Sequence, residues 1–349
     1  MSFTTPPRPL DVAALFPQLA PLARTATRLH PRPGSPSAHD SSVGGPLLWP
    51  ADEPWPYCAG PHVRSSLAQG VLAPEDVRVL RRIRAAVASR RNLGRQASRP
   101  TPEELATEKR ISEGRPWPEG PVAMLPVAQL YLRDIPQLRT FEPPGADLLQ
   151  VLWCPFDHPE NPRTALFWRS AAEVTDVLAA APEPPVVQLS DYLPEPCMLA
   201  PEQVTEYPHL LELSKKVQNQ LGNWDTWRAA DSEVDSSYAS APKEFYAEHL
   251  SVAPGWKVGG WSRWGLTDPM ARRCPECATE MDPLLTIAST EWNASSKSWA
   301  PEEERTNPTP LLPGTPPANF TMITLARGYD LQLHSCPAAP HHPHIELIQ

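Results

Sequence analysis

Cys274-Pro-Glu-Cys277 is the clearest chemical motif in the chain. A Cys-x-x-Cys turn presents two thiolates to one tetrahedral Zn²⁺, and a complete structural site needs two further ligands. The C-terminal stretch offers Cys336 together with His334, His341, His342 and His344. If the last strand lies beside the turn, Cys336 and one of these histidines, with His342 as our choice, complete a Cys₃His site. The alternative is a vestigial knuckle of reduced, buried thiols beside a merely polar tail, because no second Cys-x-x-Cys accompanies it. A redox role has less support, since no βαβ context surrounds the motif.

Other residues carry weaker chemistry. Asp157-His158-Pro-Glu160 collects the acid–base groups of a hydrolase acting on a small molecule, but beside two prolines it reads as a turn after a strand. Gly260-Trp-Ser-Arg-Trp-Gly265 is too long for a nucleophile elbow, and neither a phosphate loop nor a dinucleotide fingerprint occurs. Cys154 and Cys197 sit among aromatic and aliphatic neighbours and read as buried, inert thiols. Arg81, Arg82, Arg84, Arg90 and Arg91 crowd the segment 78–95, which could meet RNA phosphates. With no interleaved aromatics and a net charge of −9, the plainer reading is a solvated helix face.

The elements that must position these residues come in two copies. Residues 43–49 read Val-Gly-Gly-Pro-Leu-Leu-Trp, and residues 258–264 read Val-Gly-Gly-Trp-Ser-Arg-Trp. Each copy then passes through cysteine (Cys58; Cys274 and Cys277) toward an apolar segment, Met124–Leu130 or Pro283–Ala288. Paired glycines allow positive φ or close backbone approach, and a tryptophan at fixed distance can cover the bare backbone. Two copies predict a pseudo-symmetric core from one duplicated unit.

Between the copies, Pro74-Glu-Asp and Thr101-Pro-Glu-Glu start two helices of a basic insertion at 64–118. Val122–Leu132, Asp147–Trp153, Thr164–Trp168 and Val186–Leu189 read as strands. Ala171–Ala181 reads as a helix, and 201–222 as one or two more ended by Gly222. Phe320–Leu325, Tyr329–His334 and a terminal segment close the chain. Asp11–Ala23 has an apolar stripe at helical spacing. The predicted organisation is an N-terminal helix and linker over 1–40, then a duplicated domain over 41–349. Its first repeat spans about 41–190 and its second about 245–349. The fold class is α+β: two antiparallel β-sheet repeats in one body, with peripheral helices and many proline-rich loops.

The Gly-Gly-x-x-x-x-Trp units, Cys-Pro-x-Cys followed by Met281 and Leu-Leu-Thr-Ile, and Val127–Pro136 together resemble the YwqG-like family of bacterial proteins of unknown function. Leu148–His158 is similar to stretches of its long actinobacterial members, and the resemblance runs from about residue 40 to the end. The duplicated unit also resembles the core of the eukaryotic programmed-cell-death-protein-two family. That likeness implies a peptide-binding chaperone role, with a new ribosomal protein shielded until assembly. Thr286 departs from the pattern, which usually places glutamine there, whereas Gln129 keeps it. The resemblance implies a non-enzymatic, chaperone- or immunity-like protein that grips an extended client between its repeats. Trp49, Trp264 and Gln129 are then the groove residues, with Gly44, Gly45, Gly259 and Gly260 allowing close approach. The tryptophans have a plainer role too, as covers over glycine backbone inside the core.

Composition narrows the classes. The 47 prolines are well over twice the usual share of about 5%, which predicts irregular connections and short helices. Twelve tryptophans oppose disorder, and the acidity opposes indiscriminate binding to nucleic acid or anionic lipid. No apolar run reaches membrane-spanning length, and the first residues lack a secretory h-region. The expectation is a soluble, cytoplasmic protein.

Overall fold

The computed structural model describes residues 2–64, 70–90, 99–158, 161–230, 234–309, 311 and 318–349. Its strands are β1 Arg24–Arg28, β2 Arg32–Pro33, β3 Ser42–Val43, β4 Tyr57–Cys58, β5 Val122–Ala123, β6 Leu125–Tyr131, β7 Leu148–Asp157 and β8 Pro162–Arg169. They continue with β9 Cys197–Met198, β10 Glu202–Glu206, β11 Lys257–Gly259, β12 Asp282–Ile287, β13 Leu331–Ser335 and β14 Ile345–Ile348. Two six-stranded antiparallel sheets result, β2-β9-β3-β6-β7-β8 and β10-β1-β11-β12-β13-β14. The architecture is α+β, as the sequence predicts.

The sheets match position by position. Val43 faces Ala128 as Val258 faces Leu285, and both pairs precede the glycines. A register shift falls between Pro126 and Ala128 in one sheet and between Pro283 and Leu285 in the other. Proline has no N–H for the ladder, so an irregular step next to it at the start of a strand leaves no donor unpaired. With these anchors Gln150 corresponds to Gln332, and Cys154 to Cys336.

Strand alternation sorts the core. Leu149, Val151 and Trp153 on β7 join Leu331 and Leu333 on β13 in one buried cluster that both sheets share. The opposite face of β7 presents Leu152, Cys154 and Phe156 to Trp49, Trp55 and Cys58.

The N-terminal 40 residues are not a separate linker. β1 lies between β10 and β11 in the second sheet, while β2 pairs with β9 in the first. Conversely β9, which follows the first repeat, lies between β2 and β3, and β10 crosses to the second sheet. The boundary expected at residue 40 is therefore not seen, because β1 and β2 are built into the two sheets.

The helices are peripheral: α1 Val12–Leu15, α2 Pro74–Ser89, α3 Pro102–Ser112, α4 Lys215–Leu221, α5 Trp224–Ala230, α6 Pro242–His249 and α7 Glu302–Thr306. Thr101 and Glu104 form a reciprocal capping box on α3. Val71 and Arg115 bridge at the neck of the basic insertion. Trp227, Phe245 and Tyr246 gather α1, α4, α5 and α6 around a satellite core. No helix among the described residues is long and apolar enough to cross a membrane.

Several expected elements differ. Only 171–173 of the predicted helix at 171–181 is helical, as a 3-10 turn. Beyond it Leu178 N–H donates to Trp49 O at 2.8 Å, and Ala51 N–H donates to Asp176 O at 3.0 Å. Long-range pairing there displaces the local ladder. Residues 202–206 of the expected 201–222 helix are β10, in register with β1, and the helix begins only after Ser214. Val186–Leu189 makes a single bridge, Leu72 to Val187. The Phe320–Leu325 stretch is broken by Met322 at φ 59°.

The crossover from β1 to β2 is fixed by buried charge. Arg28, His30 and Arg32 surround Glu291, with Arg32 Nε also donating to Glu304 at 2.7 Å. Burial alone would raise the Glu291 carboxyl, but His30, Arg32 and Arg28 together hold it below the usual range. Glu291→Gln removes the one carboxylate that Arg28, His30 and Arg32 share, leaving the buried Arg28 without its ion-pair partner, and is expected to cost about 3–5 kcal/mol in urea unfolding. Because the carboxyl is depressed in the folded state, its contribution is complete above the ordinary glutamate pKa. It disappears as the pH falls through the folded value, so the variant's deficit shrinks toward zero in acid.

Candidate metal centre and neighbouring surface

β13 ends at Ser335 and delivers Cys336 to the turn before β14, where His342 sits. The Cys274–Cys277 knuckle lies against that turn. Cys274 Sγ is 3.4 Å from His342 Nδ1, and Cys277 Sγ is 3.5 Å from Cys336 Sγ. The four ligand atoms lie within 4.8 Å of one another, a set that could hold a metal ion. A tetrahedral ion with metal–sulfur and metal–nitrogen bonds of about 2.3 and 2.0 Å implies edges of about 3.6 Å. Ala278, at φ 57°, closes the knuckle, with its N–H donating to Cys274 O at 2.9 Å. Cys274 and Cys336 are buried and Cys277 is exposed. Hydrogen bonds from Thr279 lead the causes that push the Cys277 thiol down to about 6, favouring the thiolate. The structure thus brings together all four residues expected from the sequence.

Cys58, His62, Cys154 and His158 form a second cluster of the same tightness. Cys58 Sγ is 3.4 Å from His158 Nε2, and Cys154 Sγ is 3.4 Å from His62 Nε2. The ring of His62 lies 4.9 Å from that of Phe156. Burial, with Arg163 and His62 nearby, pushes His158 down to about 4, so the imidazole is neutral with a lone pair to give. Burial also pushes the Cys154 thiol up. Reading Cys154 as an inert core thiol missed this cluster, although one signal was present. Cys-x-x-x-His occurs twice, at Cys58–His62 and Cys154–His158.

Asp157 and His158 have different partners. Asp157 is buried, accepting from Gln188 Nε2 at 2.8 Å and from the Tyr192 hydroxyl, whereas His158 faces Cys58. Successive residues at a strand end point to opposite sides, so the pair expected for a hydrolase is divided.

Trp49, Trp264 and Gln129 are core residues and no groove wall, with exposures of 1%, 3% and 0%. Gln129 accepts from Leu48 N–H at 2.7 Å and donates to Ala38 O at 2.7 Å. Gln150 donates to Gln129 at 2.9 Å and accepts from Arg169, which lies 4.1 Å over Trp49 and pairs with Glu53. In the second repeat Gln332 likewise donates to the carbonyl before the tryptophan, at Arg263. Thr286 there replaces the amide, and Gln332 Oε1 and Trp264 Nε1 are buried with no hydrogen-bond partner among the described residues.

The glycines form tight corners. Gly44, Gly259 and Gly260 have φ of 64°, 72° and 75°. A Cβ on Gly260 would meet the Glu206 carboxylate and lie 2.8 Å from the Ala26 Cβ. Gly44 and Gly45 line a hollow of about 440 Å³ and Gly259 and Gly260 one of about 270 Å³, both at the surface. One buried apolar cluster joins the two repeats, and the hollow at Gly259 and Gly260 is also lined by Gln137, Thr140 and Phe141 of the first repeat.

The arginine-rich segment is partly paired within the molecule. Arg81 is buried against Glu195 and two carbonyls, Arg78 pairs with Glu183, Arg82 with Glu75 at the surface and Arg90 with Glu104. Arg84 is exposed on α2, and Arg91 with the rest of 91–95 lies outside the described residues.

A further hollow adjoins the end of β8. It measures about 740 Å³ and is lined by Trp168, Pro50, Pro54, Pro143 and Pro144, with Asp52, Glu53 and Glu173.

No family model matches the chain, and no curated protein matches it.

The two amide positions make a comparison. Gln129→Ala strands Leu48 N–H and Gln150 and is expected to cost about 2–3 kcal/mol. Thr286→Ala is expected to cost under about 1 kcal/mol. Paired urea denaturation curves measure the difference.

Proposed function

We propose that this chain is a non-enzymatic, zinc-stabilised protein-binding module that holds an extended peptide segment on its surface. The observation that carries the reading is the closed ligand set at Cys274, Cys277, Cys336 and His342. Four protein donors fill a tetrahedral shell and leave no position for a substrate, which is the pattern of a structural ion. Thiolate and imidazole donors favour Zn²⁺ among common divalent ions. A reducing compartment such as the cytoplasm keeps such thiols available.

The binding surface in this proposal is the hollow at the end of β8, not the space between the repeats. β8 is the terminal strand of its sheet, and Trp168 near its end stands among prolines. A sheet edge with a half-buried indole suits an extended segment. Asp52, Glu53 and Glu173 outnumber Arg169 there, so a basic segment is favoured. Basic segments are common in the ribosomal clients implied by the resemblance to the programmed-cell-death-protein-two family. The intramolecular pairing of Arg78, Arg81, Arg82 and Arg90 makes RNA a poorer candidate partner.

Two measurements test the reading. Untagged protein should carry zinc that falls by one equivalent per chain in Cys336→Ser. A displayed peptide library should enrich extended basic sequences on the native protein. Trp168→Ala and Glu173→Lys should each weaken the selected peptides at least tenfold, and the exposed Glu173→Lys should do so without shifting the melting temperature. Absence of enrichment, or affinity indifferent to both substitutions, overturns the client reading.

A further inference from the structure

We infer that Cys58, His62, Cys154 and His158 form a second zinc site, the first-repeat counterpart of the three-cysteine site, so that each repeat carries one structural ion. This inference does not depend on the client reading.

The argument is one of equivalence. The shared register shifts place Pro126 on Pro283, so Trp153, opposite Leu125, matches Ser335, opposite Asp282. The next residues, Cys154 and Cys336, therefore occupy one position in the duplicated unit. Upstream, Cys58 follows its indole Trp49 by nine residues, and Cys274 follows Trp264 by ten. The second knuckle ligand is His62 in one copy and Cys277 in the other. The fourth ligand comes from the turn after β7 or β13, as His158 or His342.

The contacts cross in the same sense in both copies. The first knuckle ligand touches the turn histidine, at 3.4 Å for Cys58–His158 and 3.4 Å for Cys274–His342. The second knuckle ligand touches the strand-end cysteine, at 3.4 Å for His62–Cys154 and 3.5 Å for Cys277–Cys336. These are opposite edges of a tetrahedron, close to the roughly 3.6 Å expected around zinc. Isolated thiol–imidazole hydrogen bonds would satisfy each pair separately. They would not require both pairs to converge so that all four donor atoms lie within 4.8 Å.

The two sites differ in setting. Cys58 and Cys154 are both buried, and the ring of Phe156 flanks His62. Cys277 of the other site is exposed. The first-repeat ion should therefore exchange more slowly. Each bound ion displaces the thiol protons of its cysteines to solvent.

The test uses the full chain without a histidine tag, passed through gel filtration with a mild chelator before elemental analysis. The wild type should hold two zinc ions per chain, and one or fewer overturns the proposal. Cys277→Ser/Cys336→Ser should retain one ion. Cobalt substituted into that variant should give the absorption of a two-sulfur, two-nitrogen tetrahedral site. A folded variant with less than a tenth of an equivalent overturns the inference. If this variant does not fold, the wild-type stoichiometry decides alone.

Discussion

The insertion of β1 into the second sheet is the constraint on which the rest of the molecule depends. β1 comes from the N-terminal segment and is hydrogen-bonded on both edges, to β10 and to β11. The second sheet cannot complete its ladder without it, and an unfinished sheet exposes unpaired backbone groups at its edge. The second sheet is obliged to form together with the start of the chain. The shared cluster of Leu149, Val151, Leu331 and Leu333 adds apolar burial to that coupling.

Crossing between sheets carries a cost that the buried charges offset. Arg28 and Glu291 are withdrawn from water, and His30 turns the chain at φ 44°. Buried charges are tolerable only when paired on several sides, and Glu291 meets two guanidinium groups and the His30 imidazole. A second buried pair, Lys257 with Glu206, joins β11 to the end of β10, with Lys257 Nζ donating at 2.6 Å. Glu206 also accepts from Trp261 N–H at 2.8 Å beyond the paired glycines. Gly260 has no side chain because that carboxylate occupies the place of its Cβ.

Both copies of the unit use the same plan with different parts. The first copy locks its indole with an amide pair and Arg169 and collects two cysteines and two histidines. The second has threonine in place of one amide and collects three cysteines and one histidine. Divergence after duplication has kept the soft, four-donor character of the clusters while changing which donors supply it. In both copies the cluster joins a knuckle to the turn after β7 or β13.

Much of this was legible in the chain because the signals are local. A glycine of each pair takes positive φ, Thr101 with Glu104 caps a helix over four residues, and Cys274-Pro-Glu-Cys277 forms a knuckle by its own spacing. Two copies of the corner also implied two equivalent sheets. What only tertiary structure decided involves residues far apart in sequence. The insertion of β1 into the second sheet, the meeting of Cys58 with His158, and the burial of Trp49, Trp264 and Gln129 all depend on register between distant strands. Residues 202–206 became a strand because β1 offered a ladder, and no local preference could announce that partner. The sequence by itself determined which turns the backbone can make and which side chains can bind soft metals. Long-range hydrogen bonding and packing decided which of those side chains meet, because a contact between distant residues exists only when the intervening chain has folded.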